Sequence, residues 1–260
     1  MVDQFMVDTA NFSYFKVVVR NKRPFLIRSM LKEDIEPCLE LMAQCHENYH
    51  PMMICLKFNK EVYMELLRRR IESVIDEDMC VVCVDIQTKK IVGVCLGSDA
   101  KTKSGPNTDD LLQKYPEFKY YREVVSGFNR KYPQYYHPKE AGVVGYPFYL
   151  TVHPEFQSFG HATQILKAIL DEHPKYLRYT YLVSGAVSNH TLKIGYKLNQ
   201  SLGTRVFRVA DAVEYETFQS SDGTKPFANI REELAKRNME PEHLYFTFVI
   251  WERAPLLPKL

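Results

Sequence analysis

The residues best suited to chemistry lie between Tyr149 and Ala162. A β-rich run ends at Val152, a turn follows, and small residues stand at Gly160 and Ala162, where a helical pattern begins. This strand–turn–helix order directs the unpaired N–H groups of a helix N-terminus towards one point. Glycine there permits a positive φ angle or the close approach of a ligand, and alanine leaves the first helical turn uncrowded. The segment therefore predicts a site for a phosphate-bearing small molecule.

The cysteines offer a second candidate chemistry, metal binding. All six lie within the first 95 residues, and Cys80 and Cys83 have the spacing of a metal-ligating pair. No second Cys or His pair follows at a suitable distance, so buried thiols are the favoured interpretation and no metal is predicted. Free cysteines are typical of a reducing compartment.

The elements that position these residues follow from hydrophobic periodicity. The predicted strands are Phe15–Arg20, Phe25–Arg28, Met79–Asp85, Ile91–Leu96, Val143–Val152, Tyr179–Ser184, Arg205–Phe218 and His243–Trp251. The predicted helices begin near Ile35, Asn59, Asp109, Phe159, Ser188 and Ile230, and an aromatic-rich insertion spans residues 99–142, packed across one end of the sheet. This order predicts a mixed sheet with helices on both faces, in one domain covering residues 1–260.

Composition limits the classes of function. The chain is 45% hydrophobic and 25% charged, which is ordinary for a soluble globular protein, and its net charge of +2 argues against a dedicated nucleic-acid binder. Residues 1–4 lack the basic start of a signal peptide, and the longest apolar run, Tyr245–Trp251, is far shorter than the roughly 20 residues of a membrane helix. We expect a cytoplasmic protein that binds small molecules, with no membrane or nucleic-acid partner. A monomer is expected, although the sequence does not determine the oligomeric state.

The pattern Val-x-Pro-x-x-Gln-x-x-Gly-x-Ala, from Val152 to Ala162, resembles the acetyl-CoA pyrophosphate loop of the GNAT acetyltransferase superfamily. The order of elements from Phe25 to Trp251 is also similar to that family's. The resemblance implies an α/β (α+β) GNAT fold with about seven mostly antiparallel strands, splayed between the fourth and fifth. It also implies acetyl-CoA as the cosubstrate, with no metal.

The same resemblance assigns the cofactor-binding residues. The pantetheine arm would lie in the slot between the splayed strands, against the backbone of Leu150, Thr151 and Val152. The pyrophosphate would rest on consecutive backbone amides, those of Gln157, Ser158, Phe159, Gly160, His161 and Ala162. Gln157 stands where the family often has arginine, and the His161 side chain is expected at the solvent-facing start of the helix.

A second segment, Ser188–Leu198, resembles the helix that follows the fifth strand in GNAT enzymes. In one register Asn189 and Tyr196 match the family's Asn and Tyr, which implies that Asn189 binds the cofactor and that Tyr196 protonates the CoA sulfur. In the other register Gly195 occupies the tyrosine position and Thr191 is the proton donor. The sequence leaves both registers open.

Three further patches resemble insect-type arylalkylamine N-acetyltransferases. They are Arg28–Pro37, Gly93–Leu96, and the run Val213–Phe218 continuing to Asp222-Gly223-x-x-Pro226-Phe227. The resemblance implies a small primary arylalkylamine as the acetyl acceptor. The aromatic residues of the insertion could wall an aryl ring, but packing of the insertion onto the sheet explains most of them.

That subfamily carries a Glu-Pro-Leu element whose Glu is the general base, and the corresponding tripeptide here begins at His50. The ordinary histidine pKa of about 6.5 suits proton removal near neutrality. Glu47, three residues upstream, is the alternative base, and it is equally open that neither has a role. The family's two helix hydroxyls map onto Val187 and Thr191, with Ser188 beside them, so only part of the proton relay is present.

Two other functions stay open on the sequence alone. The acceptor could be a polyamine, an amino acid or a protein lysine. The chain could also be a catalytically silent acyl-CoA-binding module, because it departs from the family pattern at His50, Val187 and Asn199–Gln200.

Overall fold

The computed structural model describes residues 10–57, 59–102, 107–202, 205–239 and 244–254. The N-terminal tetrapeptide that argued against a signal peptide lies outside the described residues, as does His243 at the predicted start of the last strand. Within the described ranges, no helix is long and apolar enough to span a membrane.

One eight-stranded sheet forms the centre of the fold. Its strands are β1 (Phe15–Arg20), β2 (Arg23–Ser29), β3 (Val81–Asp85), β4 (Ile91–Asp99), β5 (Val144–Val152), β6 (Tyr181–Ala186), β7 (Arg205–Glu214) and β8 (Tyr245–Arg253). They lie in the order β1-β2-β3-β4-β5-β6-β8-β7. Among the strand pairs that the described residues form, only β5–β6 is parallel. The sheet is thus mixed and mostly antiparallel, as predicted, and its eight strands correspond to the eight predicted from the sequence.

The helices lie on both faces of this sheet. They are α1 (Ile35–Tyr49), α2 (Pro51–Leu56), α3 (Lys60–Glu72), α4 (Asp109–Lys114), α5 (Phe118–Lys131), α6 (Pro133–Tyr136), α7 (His161–Lys167), α8 (Pro174–Leu177), α9 (Asn189–Leu202) and α10 (Ile230–Ala235). A 3-10 turn, Pro154–Phe159, precedes α7, and a π turn, Ala168–Glu172, extends it. The short helix α2 was not predicted; it begins with a proline, which tolerates the first helical position because no N–H is needed there.

Two apolar clusters bury the faces of the sheet. The first contains α1, α2 and α3 and the helices of the insertion, represented by Leu39, Leu67 and Phe128. The second contains α7 and the π turn that follows it, represented by Ile165 and Ile169. Because both faces of the sheet are covered, β3 and β4 are buried along almost their whole length and carry runs of consecutive apolar residues.

The β4–β5–β6 region opens the sheet. In the β4–β5 ladder Leu96 pairs with Phe148 and Val94 with Thr151, so two residues of β5 stand opposite Cys95. This bulge contains Tyr149, whose φ of +53° is unusual for a residue with a side chain. Beyond it, β5 and β6 part: their ladder includes only the register pairs that begin at Val144 and Gly145. A slot therefore opens between the ends of β5 and β6, as the GNAT resemblance implied.

The insertion packs on the sheet through Phe128, whose ring lies 5.5 Å from that of Phe246 and 5.7 Å from that of Phe248, both in β8. One prediction about the remaining segments needs correction. The strand predicted over Arg205–Phe218 ends at Glu214, where a turn begins. In that turn the backbone N–H of Phe218 is bonded to the Glu214 and Tyr215 carbonyls instead of to a neighbouring strand.

Candidate active site

A cleft of about 600 Å³ occupies the slot between β5 and β6. Its β5 wall is Leu150, Thr151 and Val152, and Gln157 and Ala162 close one end. Its opposite wall comes from the β6–α9 junction and α9, with the side chains of Val187, Ser188, His190, Thr191, Lys193 and Ile194. Five of the ten predicted cofactor residues thus line this single cleft.

The turn between β5 and α7 has the geometry predicted for an anion site. Gly160 stands at the N-cap of α7 with φ of +76°, a conformation that glycine adopts without strain. A Cβ at Gly160 would meet no atom within 4 Å, so the space in front of the turn is open. No described side chain caps this helix, which leaves its first N–H groups available for a phosphate. These features fit a diphosphate group.

His161 does not face solvent, contrary to the prediction. It is fully buried against the other side of the turn, where its ring lies 4.1 Å from that of Phe25. Its Nδ1 is 3.8 Å from Cys83 Sγ, and burial lowers the pKa of His161 to about 4. Only the backbone of His161 can therefore face a ligand. Phe159, Gly160 and Asn189 are also not among the residues that line the cleft, and of Ser158 the structure describes the backbone alone.

A smaller cavity of about 90 Å³ continues from the cleft towards the insertion. Six Phe, Tyr and Trp residues contribute to its walls: Tyr121, Tyr146, Phe148, Tyr149, Phe246 and Trp251. The hydroxyls of Tyr121 and Tyr149 are 3.2 Å apart. No Asp, Glu, Lys or Arg of the described chain lines this cavity. Because α5 supplies Tyr121 and Val125, the insertion forms part of the cavity as well as packing on the sheet.

Two histidines stand where the cleft and the aromatic cavity meet. His46 lies on α1, and His50 ends α1 and begins α2; both line both spaces. Burial lowers the pKa of His50 to about 4 and holds the pKa of His46 well below its usual value, with His50 adding to the effect on His46. Both imidazoles are consequently neutral at pH 7. His50 Nδ1 is buried and has no hydrogen-bond partner among the described residues, so no other group of these residues occupies it.

The hydroxyls of the β6–α9 junction face the same point. Thr191 lines both the cleft and the aromatic cavity, and Ser188 lines the cleft, with 3.3 Å between their oxygen atoms. Tyr196 lines neither space; it is 50% exposed, and its ring packs edge-on against Phe207 at 4.8 Å. The structure thus places Thr191, and not Tyr196, on the cleft and the aromatic cavity.

Glu47 is separated from the cleft. It is an exposed residue of α1 and lines a different cavity, together with Lys57, Lys60 and Arg237. The structure therefore brings His50, Thr191 and Ser188 together and leaves Glu47 and Tyr196 outside.

Sequence reasoning missed several residues of the site. His46 could have been found, because it stands four residues before His50 and so shares its helix face. Cys45 and Tyr49, also of α1, line the cleft as well. Asn238 and Met239 reach it only because α10 packs on α2, a long-range contact with no local signal. In the described ranges, no group of His, Cys, Asp and Glu could hold a metal ion.

The fold is similar to that of several solved structures. The C-terminal condensation domain of Ebony, in complex with β-alanyl-dopamine, matches with a TM-score of 0.67 and 14% identity, over 89% of this chain and 100% of that domain. Arylalkylamine N-acetyltransferase 2 from Aedes aegypti matches with a TM-score of 0.62 and 12% identity, over 87% and 97% of the two chains. Drosophila melanogaster polyamine N-acetyltransferase, which forms N-acetylagmatine, matches with a TM-score of 0.58 and 12% identity, over 88% and 99%.

No protein-family profile and no curated protein sequence matches the chain. The structural matches establish that it has the GNAT acetyltransferase fold, which the sequence resemblance had predicted.

Proposed function

We propose that this protein is an N-acetyltransferase that moves the acetyl group of acetyl-CoA to the primary amine of a small arylalkylamine. The observation that carries the proposal is the junction of two spaces, a large cleft ending at the Gly160 turn and a cavity with aromatic residues and no charged ones in its described lining. They meet at His50 and Thr191. Solved acetyltransferases of the same fold support this class of reaction.

The cleft suits the shape of acetyl-CoA. The open turn at Gly160 would hold the diphosphate through backbone N–H groups, and Lys193 places a positive charge on the opposite wall. The backbone of β5 at Leu150, Thr151 and Val152, which lines the cleft beyond the β5–β6 ladder, would hydrogen-bond the amides of the pantetheine arm. The thioester, which supplies an activated acyl carbon, would then reach the junction.

The junction residues would handle the protons of the reaction. A primary amine with a pKa of about 10 is mostly protonated at neutral pH and must lose a proton before its nitrogen can attack the thioester carbon. His50, neutral and with an unpaired Nδ1, would accept that proton directly or through water. As the carbon–sulfur bond breaks, Thr191 would donate a hydrogen bond to the thiolate, and the bulge at Leu150 would present a backbone N–H to the carbonyl oxygen.

The lining of the aromatic cavity favours an arylalkylamine over a polyamine. A polyamine carries a second cation, and burying an unpaired charge is costly. The described lining has no carboxylate to pair with that cation. Its six aromatic side chains can instead make edge-to-face and stacked contacts with the flat ring of an arylalkylamine.

A thiol-release assay with acetyl-CoA tests the proposal. Phenethylamine, tyramine and tryptamine should each release CoA with a higher kcat/KM than putrescine, spermidine or agmatine. Equal or better turnover of the polyamines would refute the acceptor class. Saturable CoA binding without turnover of any amine would instead support a silent acyl-CoA-binding module. Because Ebony's domain was solved with β-alanyl-dopamine, β-alanyl-CoA belongs in the assay as a second acyl donor.

A further inference from the structure

A second cavity, of about 220 Å³, lies beside α1 and is lined by different residues of that helix. Ala43 and Glu47 of α1 line this second cavity, whereas Cys45, His46 and Tyr49 of α1 line the cleft. Its remaining walls are polar or basic in part: Met53, Ile54, Lys57, Lys60, Tyr63 and Arg237. Such a cavity can hold water and exchange protons with the solvent.

A hydrogen-bonded chain joins the two spaces through α1. On the cleft side, the Thr151 hydroxyl is 3.3 Å from His46 Nε2. On the other side, His46 Nδ1 shares a short hydrogen bond with the hydroxyl of Tyr63, a residue that lines the second cavity but not the cleft. The imidazole of His46 therefore has one nitrogen facing each space.

The neighbours of His46 keep the imidazole neutral and fixed. The rings of His50 and Tyr149 lie 5.2 Å and 5.6 Å from it, and that of Tyr63 lies 5.5 Å away. His46 is 7% exposed and Tyr63 is 3% exposed, so water reaches them only through the spaces that they line. A neutral imidazole held between two hydroxyls can accept a proton at one nitrogen and release one from the other.

We infer that His46 and Tyr63 form the exit route for the proton that the amine loses during acyl transfer. This inference rests on the proposed function. The proton enters at His46 Nε2, from His50 or Thr151. In the His46 tautomer that holds a proton on Nδ1, this proton passes to the Tyr63 oxygen, and the Tyr63 hydroxyl proton passes to water in the second cavity. One proton enters and one leaves, so no group changes its charge. The route is needed because both substrates fill the cleft while the reaction takes place.

The substitution Tyr63→Phe tests the route, since it keeps the ring and removes the hydroxyl. Tyr14→Phe is the matched control, because the Tyr14 hydroxyl is bonded to Glu172 and lies away from all three spaces. At low buffer concentration Tyr63→Phe should lower kcat about ten-fold with KM for acetyl-CoA unchanged. Its kcat should rise with added imidazole buffer, and its solvent deuterium isotope effect should exceed that of the wild type. Tyr14→Phe should show the wild-type kcat and no dependence on buffer.

His46→Gln gives an independent test, because glutamine can hydrogen-bond but cannot relay a proton. Its kcat should also fall and be partly restored by imidazole. The route is wrong if Tyr63→Phe, with an unaltered thermal unfolding curve, keeps the wild-type kcat at low buffer. It is also wrong if kcat falls without any effect of buffer or deuterium, since the hydroxyl then only holds His46 in place. Failure of the wild type to release CoA with any amine would identify the proposed function itself as the error, and the route would fall with it.

Discussion

The imidazole rings of His46 and His50 lie 5.2 Å apart at an interplanar angle of 67°, one turn of helix from each other. Both are buried, yet only His46 has a hydrogen-bond partner on each nitrogen. The same environment therefore supports two different roles. An imidazole with a free buried nitrogen can receive a proton, and an imidazole held at both nitrogens can pass one on.

The burial of these histidines predicts a pH dependence of stability. Burial lowers the pKa of His50, His161 and His173 to about 4 each, whereas in the unfolded chain it is about 6.5. Below pH 6.5 the unfolded state binds protons that the folded state does not. The free energy of unfolding should therefore fall as the pH decreases from about 6.5 towards 4, by about 1.4 kcal/mol per pH unit for each histidine.

Urea unfolding at pH 7.5, 6.5 and 5.5 measures this dependence. His50→Gln should reduce the slope of the unfolding free energy against pH, between pH 6.5 and 5.5, by the contribution of about one proton. His137→Gln, at an exposed position, is the control and should leave the slope as it is. An equal slope in the wild type and His50→Gln would show that His50 titrates normally in the folded protein.

Gly160 and Gly142 provide a matched pair for the phosphate turn. Their φ angles are +76° and +79°, and a Cβ would meet open space at both. Valine should strain the backbone at either position by about 1–3 kcal/mol. Only Gly160→Val should also lower the affinity for acetyl-CoA, by ten-fold or more as measured by calorimetry. The valine side chain at position 160 would occupy the space in front of the α7 N-terminus. If the two variants bind acetyl-CoA equally well, the diphosphate does not rest on this turn.

Thr191 and Tyr196 can be separated by conservative substitutions. Thr191→Val removes the hydroxyl that faces the junction and should lower kcat about ten-fold or more, with little change in KM for acetyl-CoA. Tyr196→Phe removes a hydroxyl from an exposed ring outside both spaces and should leave kcat within about two-fold of the wild type. The reverse pattern would restore the register in which Tyr196 protonates the CoA sulfur.

Local signals in the sequence were sufficient for the elements that frame the cleft. The β-rich run ending at Val152 and the glycine at position 160 predicted both the strand and the left-handed turn, because each depends on a few neighbouring residues. The β1–β2 hairpin was equally local, with Asn21 and Lys22 in the left-handed conformation that a tight turn requires.

The catalytic arrangement was less predictable because it depends on contacts between distant segments. The sequence left Glu47 open as an alternative to His50, and the orientation of α1 places His50 on the cleft and Glu47 away from it. The burial of His161 likewise depends on Phe25 and Cys83, which are far from it in sequence. The aromatic insertion was predicted to pack on the sheet, but its share in the cavity through Tyr121 follows from tertiary packing alone.

The charge-free lining of the aromatic cavity makes acceptor choice testable at Val125. This half-buried residue of α5 lines the cavity, so Val125→Asp would place a carboxylate beside the bound amine's side chain. The carboxylate could pair with the distal ammonium of a diamine but not with an aryl ring. The ratio of kcat/KM for putrescine to that for phenethylamine should therefore rise about ten-fold or more, a difference of about 1.4 kcal/mol between the two transition states.

Val125→Asn is the control, because asparagine has nearly the same shape as aspartate but no charge. It should leave this ratio within about three-fold of the wild type. An equal rise in both variants would mean that polarity or lost packing, and not the absent charge, sets the preference. No rise in either would place the acceptor outside this cavity.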